Sequence, residues 1–342
     1  MPSRPLSFLD LTPIESGSTA TAALAQSVAL AQEAEVLGFH RIWYAEHHNS
    51  AGMASSSPEL MIAHVADRTN TIRLGSGGVM LPNHAPLKIN ETFRLLEVMH
   101  PGRVDLGLGR APGTDTVTAF AMRRTPEALR ADNYPELVTE LLAFDDGTFN
   151  PDHPFRKITP VPADTPMPPI YLLGSSDFTA NLAAHVGLGF GFAAHISRAM
   201  AIPAMLAYRN RFQPSRRYPQ PYAILTVSVT IGETEAHAAD LTLINRLFLL
   251  RLRTGQLGQF PTLAEARAYQ FSESELALIE SMPLNFIAGT AEQVAETVAG
   301  LADATQADEI MITTTLPGHA DRLRTLRAMA SHFVPVPIPM TR

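Results

Sequence analysis

Two periods of apolar residues alternate along the chain. Short runs, alternating or continuous, are separated by longer stretches in which apolar positions return every three or four residues, the spacings of strands and amphipathic helices respectively. The strand-like runs are residues 6–11 (LSFLDL), 41–46 (RIWYAE), 72–81 (IRLGSGGVML), 104–109 (VDLGLG), 169–174 (PIYLLG), 189–195 (GFGFAAH), 223–231 (AILTVSVTI) and 309–315 (EIMITTT). Between them lie helical patterns such as ALAQSVALAQEAEVLG, SSPELMIAHVADRT, LKINETFRLLEVMH and TANLAAHVGLG. Strands that alternate with helices predict βα units, and eight of them evenly spaced predict an α/β (β/α)8 TIM barrel rather than an open sheet. Two stretches exceed the minimal barrel: 111–168, with the Pro-rich TPVPADTPMPP, and 232–288, with additional helical pattern. They are expected to be excursions that shape the mouth of a single domain spanning 1–342.

Composition narrows the function. The 342 residues are 46% hydrophobic and 17% charged, enough for a large buried core. A net charge of −7 offers nucleic acid no electrostatic footprint, and there is no run of like charges to serve as a tail. The absence of cysteine removes disulfides, thiolate nucleophiles and Cys-ligated metal. The uncharged stretch at 16–32 is interrupted by Ser, Thr and Gln, so it reads as a helix face and no membrane span is expected. The start, MPSRPLSFLD, lacks the basic-then-apolar build of a signal peptide, which makes the cytoplasm the expected location.

In a βα barrel, chemistry belongs to residues just past the C-terminal ends of the strands. The second run leads into Glu46, His47 and His48, and alternation sends His47 to the opposite side from Glu46 and His48. The three are therefore not expected to share a metal, and the chain contains neither H-x-H nor H-E-x-x-H. A hydrogen-bonded loop corner is the plain alternative. GLGRAPGTD (107–115) misses the dinucleotide fingerprint by one residue, with Pro112 delaying any helix. What it offers is Arg110, suited to a forked grip on phosphate unless it pairs with a carboxylate such as Asp115. LLGSSDFTANLAAH turns from strand to helix through Gly174, Ser175 and Ser176, which makes either an anion site or a simple N-cap. Two anion-suited ends in adjacent units suggest a phosphorylated ligand. The Gly77–Gly78 pair inside a strand run marks a bulge, an unusual peptide bond or the close approach of a flat ring.

Taken together, WYAEHHN, IRLGSGGVMLPNHAPL, HPGRVDLGLGRAPGTD and YLLGSSDFTANLAAHVGLGFGFAAH closely resemble the bacterial luciferase-like flavin-dependent monooxygenases, and IAGTAEQVAETV and DEIMITTT extend the likeness over most of the chain. The resemblance implies a barrel that binds reduced FMN at its mouth, usually as a homodimer. By motif match Arg110, Ser175, Ser176 and Thr179 would hold the flavin phosphate, Gly77–Gly78 would form a cis peptide beneath the ring, and His47 would be the catalytic histidine. Luciferases carry a carboxylate where this chain has Ser175 and a cysteine where it has Gly109, which implies a phosphate grip less crowded by charge and no thiol-dependent reactivity. The implied reaction uses O2 and reduced FMN from a separate NAD(P)H:flavin reductase to oxidise a small organic substrate in a cavity lined by Leu11, Trp43, Met80 and the 232–288 excursion. The alternatives are an F420-dependent dehydrogenase on the same barrel, a non-catalytic flavin-binding protein and a metal-dependent hydrolase.

Overall fold

The computed structural model describes residues 4–130, 132–256, 258–282 and 285–334. The ends of the expected 1–342 domain, residue 131 of the first excursion and residues 257 and 283–284 of the second therefore lie outside the described residues. Ten strands form one sheet, all paired in parallel: β1 (Leu6–Asp10), β2 (Arg41–Tyr44), β3 (Arg73–Ser76), β4 (Val79–Met80), β5 (Val104–Gly109), β6 (Ile170–Gly174), β7 (Gly189–Ala193), β8 (Ala223–Ile231), β9 (Phe286–Gly289) and β10 (Glu309–Thr313). Neighbours run β1-β2-β3-β5-β6-β7-β8, and β10 pairs with both β8 and β1, closing the ring. β4 continues the line of β3 beyond the Gly pair and stays on β5, so eight staves make a closed (β/α)8 barrel.

Alternation along each stave builds two cores. Ile42 and Tyr44, Leu106 and Leu108, Phe190 and Phe192, and Ile310 and Ile312 point outward into the main core beneath the helices. Those helices include α1 (Ala20–Val36), α2 (Pro58–Ala66) and α3 (Pro86–Met99). The opposite face of the same strands fills the lumen, where Leu9, Trp43, Tyr171, Ile224 and Met311 pack together. Trp43 thus lies in the lumen as a floor beneath the mouth, 2% exposed, with its indole N–H donating to Asp105.

The excursions are smaller than their expected bounds. Between β5 and β6 lie α4 (Thr116–Arg123), α5 (Pro126–Arg130) and α6 (Tyr134–Asp146). Tyr134, Val138 and Leu141 of α6 belong to the main core, so α6 is the barrel's own helix, and the additional material is the loop with α4 and α5 before it and the Pro-rich segment after it. Next come α7 (Asp177–Val186), after β6, and α8 (Ala201–Arg211), after β7. The second excursion contains α9 (Glu235–Arg253), α10 (Leu263–Ala268) and α11 (Glu273–Glu280), with a satellite core of Leu241, Ile244, Leu247, Ala266 and Leu316. It also holds β9, a strand that the helical reading of 232–288 missed; β9 pairs only with the end of β8. The barrel resumes through α12 (Ala291–Thr305), β10 and α13 (His319–Phe333). Among the described residues no helix is long and apolar enough to cross a membrane.

Candidate active site

Three loops meet at the C-terminal mouth, and Glu46 joins them. It is 1% exposed and accepts hydrogen bonds from the Met80 N–H (2.8 Å), the Asn83 side-chain amide (3.3 Å), His48 Nε2 (2.9 Å) and His84 Nε2 (3.0 Å). Despite burial, these donors hold its carboxyl below the usual range, the His84 hydrogen bond and charge contributing most. Reciprocally, Glu46 raises the His84 imidazole against the effect of burial. Asn83 reaches on to the Pro112 carbonyl at 3.0 Å, the Gly113 carbonyl accepts from the His48 N–H at 3.1 Å, and the Thr114 hydroxyl donates to the His48 carbonyl at 3.0 Å. A side chain at Gly113, where φ is +67°, would meet the Glu46 carbonyl at 2.7 Å, so only glycine lets the loops close on one another. Glu46, His48 and His84 form a two-histidine, one-carboxylate set, but both Nε2 atoms bond directly to the carboxylate. Among the described residues no group of three is placed to hold a metal ion.

His47 makes no side-chain hydrogen bond in this network among the described residues. Its N–H bonds to the Ser55 carbonyl at 3.1 Å, and its Nδ1 is buried with no hydrogen-bond partner among the described residues. Burial, then the neighbouring His48, hold its pKa below the ordinary value, with Glu46 opposing them. At neutral pH the imidazole is uncharged and ready to accept a proton.

Beside it the chain passes the Gly77–Gly78 bond, which is cis. A Cβ on Gly77 would strike Leu9 at 2.6 Å, and one on Gly78 would strike the Gly107 carbonyl at 2.7 Å, so bare backbone is the only surface that fits there. Met80 follows, half-buried, and Leu11 lies at the edge of the lumen cluster.

One strand further on, Arg110 leaves β5 next to the end of β6, because Gly109 is in register with Leu173. Its guanidinium lies 4.3 Å from the ring centroid of Phe178, in the first turn of α7. The side chain is 43% exposed, and its nearest carboxylate is Asp132 at 3.7 Å. Asp115 takes a different role from the one sequence allowed: it caps α4 and accepts from Asn49 at 3.0 Å. At the start of α7 the backbone of Ser176 is extended, and its side chain makes no capping bond. Ser175 and Ser176 are half-buried, whereas Thr179 is 3% exposed and packs under the turn, so close that a Cβ on Gly174 would lie 2.5 Å from it. Asp177, exposed in the first turn, still brings a carboxylate to this end. The geometry joins a cation to a helix N-terminus, the ingredients of a phosphate site.

Sequence reasoning passed over His84 and Asn83, which secure Glu46, and His195, which follows β7. The signal for His195 was available: it stands just past the C-terminal end of a stave.

Comparison with known proteins identifies relatives of the whole chain. The family model described as luciferase-like monooxygenase matches residues 5–308. The chain is 41% identical over 326 residues to the uncharacterized protein YvbT of Bacillus subtilis, covering 95% of each. It is 39% identical to a luciferase-like monooxygenase of Escherichia coli, over 93% of each chain, and 32% identical to the N-acetyl-S-alkylcysteine monooxygenase of B. subtilis, over 93% and 94%. The crystal structure of apo-MsnO8 superposes with a TM-score of 0.89 at 32% identity, over 98% of this chain and 99% of that one. The oxygenating constituent of 3,6-diketocamphane monooxygenase, solved with FMN (TM-score 0.69, 17% identity, 97% and 98% coverage), shares the fold. So does an F420-dependent secondary alcohol dehydrogenase (0.64, 15%, 94% and 96%). The matched length and these relatives place the chain in the luciferase-like monooxygenase family.

Proposed function

We propose that this oxidoreductase binds reduced FMN at the barrel mouth and uses it with O2 to oxidise a small organic substrate, the reduced flavin arriving from a separate NAD(P)H:flavin reductase. The observation that carries the reading is the meeting of Arg110 with the first turn of α7, where the guanidinium has only a long contact to Asp132. A relative that oxygenates N-acetyl-S-alkylcysteine and a neighbour that holds FMN support it. A separate reductase accords with GLGRAPG, in which six residues separate the end of β5 from the start of α4, so that no helix N-terminus follows the glycines directly.

When bound, reduced FMN supplies the electrons that activate dioxygen. The chain's own part is positioning and proton control. Arg110 and the α7 N-terminus, with the Ser175 and Ser176 hydroxyls, would hold the phosphate, while Thr179 supports the turn from beneath. The Gly77–Gly78 backbone would offer the ring a wall without side chains. Neutral His47 would accept or relay a proton at Nδ1, with Glu46 fixing the loop that carries it. Leu60 on α2 and Leu95, Val98 and Met99 on neighbouring α3 are exposed apolar residues, and a second copy of the chain is the partner proposed for them.

The test uses Trp43, the one tryptophan of the chain, as an internal reporter. Anaerobic titration with reduced FMN should quench its fluorescence at micromolar concentration, reduced F420 should do so only far more weakly, and admitting air should consume O2 only in the FMN sample. Tighter binding of F420 would overturn the reading.

A further inference from the structure

β2 and β7 stand four places apart in the ring of eight staves, so their ends face each other across the lumen. On the β2 side the outward residues are Ile42 and Tyr44, which leaves Trp43 and, by continuation, Ala45 and His47 on the lumen face. On the β7 side Phe190 and Phe192 point outward, which leaves Gly189, Gly191 and Ala193 on the lumen face, and His195 follows in the turn at the mouth end of that stave. Past that end the chain is still tied to β8, because the His195 N–H bonds to the Thr226 carbonyl at 3.2 Å. Asn285 fixes the backbone just beyond: its amide donates to the Ile196 carbonyl at 2.7 Å, and its oxygen accepts from the Arg198 N–H at 3.3 Å. On this fixed backbone, His195 Nδ1 is buried with no hydrogen-bond partner among the described residues, as is His47 Nδ1 opposite. An unsatisfied buried polar atom is costly, so two of them on opposite staves call for a group that satisfies them. Below is the apolar floor of Leu9, Trp43 and Met311; on the β7 side the rim carries exposed Ile196 and Met200.

We propose that His195 touches the organic substrate directly, its ring N–H donating to a neutral carbonyl-type oxygen of an otherwise apolar molecule and so holding the oxidised position toward His47. This rests on the reading of the mouth as an oxygenating site. The charge state agrees with a neutral partner. Burial, and then the proximity of His47, bring the His195 pKa down to about 4, against the opposing pull of the Thr226 carbonyl, so the ring is uncharged at pH 7. The neutral ring itself offers a carboxylate no cation.

The experiment uses the full chain loaded with FMN, and 2-octanone and octanoate as probes. Binding of each is measured calorimetrically at pH 7 for wild type, His195→Phe and His195→Gln, and the imidazole ¹⁵N resonances of the wild type are followed as 2-octanone is added. The ketone should bind wild type about tenfold more tightly than His195→Phe, His195→Gln should recover most of that affinity, and the His195 resonances should shift. Octanoate should bind wild type more weakly than the ketone, and FMN affinity should be the same in all three proteins. Equal ketone affinity in wild type and His195→Phe, unmoved His195 resonances, or tighter binding of octanoate than of ketone would overturn the proposal even with FMN bound. A wild type that binds no FMN would overturn the parent reading and this proposal together.

Discussion

At the N-terminal end of the barrel Arg41 lies between Asp105 (2.8 Å) and Glu309 (2.9 Å), and Arg73 and the hydroxyls of Ser7 and Tyr222 complete the set. At the C-terminal end, among the described residues, His47 and His195 each bury a ring nitrogen without a partner, and Arg110 reaches only Asp132 at a distance. The lumen is the same, and so is the alternation that aims side chains into it. What differs is charge pairing: at the bottom two carboxylates and two guanidiniums neutralise each other, even though Arg41 Nε and the Tyr218 hydroxyl there make no hydrogen bond among the described residues, whereas Arg110 at the mouth keeps only a long contact to a carboxylate. Polar side chains that satisfy one another stabilise a fold, and those held rigid yet unsatisfied are poised for a ligand.

Substitutions at the two ends should therefore fail in different ways. Arg41→Met leaves Asp105 and Glu309 facing each other inside the barrel, and urea denaturation should show a loss of about 3–5 kcal/mol. His47→Ala should leave the melting temperature and FMN affinity nearly unchanged and lower coupled product formation by about 10²–10⁴-fold, with the missing oxidation appearing as hydrogen peroxide. Equal product yields in His47→Ala and wild type would make the mouth another structural corner.

The smallest effect belongs to Glu46 and His84, which lie between the two extremes because they are satisfied but at the mouth. The raised pKa of His84 contributes stability that is complete below its ordinary value near 6.5 and is lost as pH rises through the raised value. The lowered pKa of Glu46 works in the opposite sense: its contribution is present above the ordinary carboxylate value and is lost as pH falls through the depressed one. Stability from this pair should peak between the two, from mildly acidic to neutral pH. His84→Gln should flatten the alkaline side of the profile by no more than about 1 kcal/mol, since His84 is partly exposed. An unchanged profile in that variant would remove the coupling.

The barrel was legible in the sequence because each stave is a compact apolar run bounded by glycine, proline or a charge, as in VDLGLG and AILTVSVTI. β9 was hidden because FIAG is short and pairs only with the end of a stave. α6 was hidden because it sits among Pro-rich and charged segments, and only its packing against the main core marks it as a barrel helix. At the site, alternation alone was enough to separate His47 from Glu46 and His48, since that relation is local. The partners of Glu46 lie up to 38 residues away and that of Arg110 lies 22 residues on, distances over which only the closed fold decides who meets whom. The strand reading ran through His195, whereas β7 stops at Ala193 and His195 lies in the turn beyond it, and only the ring of staves reveals that the stave of His47 stands opposite.

The central claim, that the unpaired end of the barrel holds a flavin by its phosphate, is tested most directly by titrating wild type and Arg110→Ala with FMN and with riboflavin while following Trp43 quenching. A charge-assisted contact is worth about 1.5–3 kcal/mol, so Arg110→Ala should weaken FMN binding roughly tenfold to a hundredfold while barely changing the affinity for riboflavin, which has no phosphate. An equal loss for both ligands, or none for either, would contradict it.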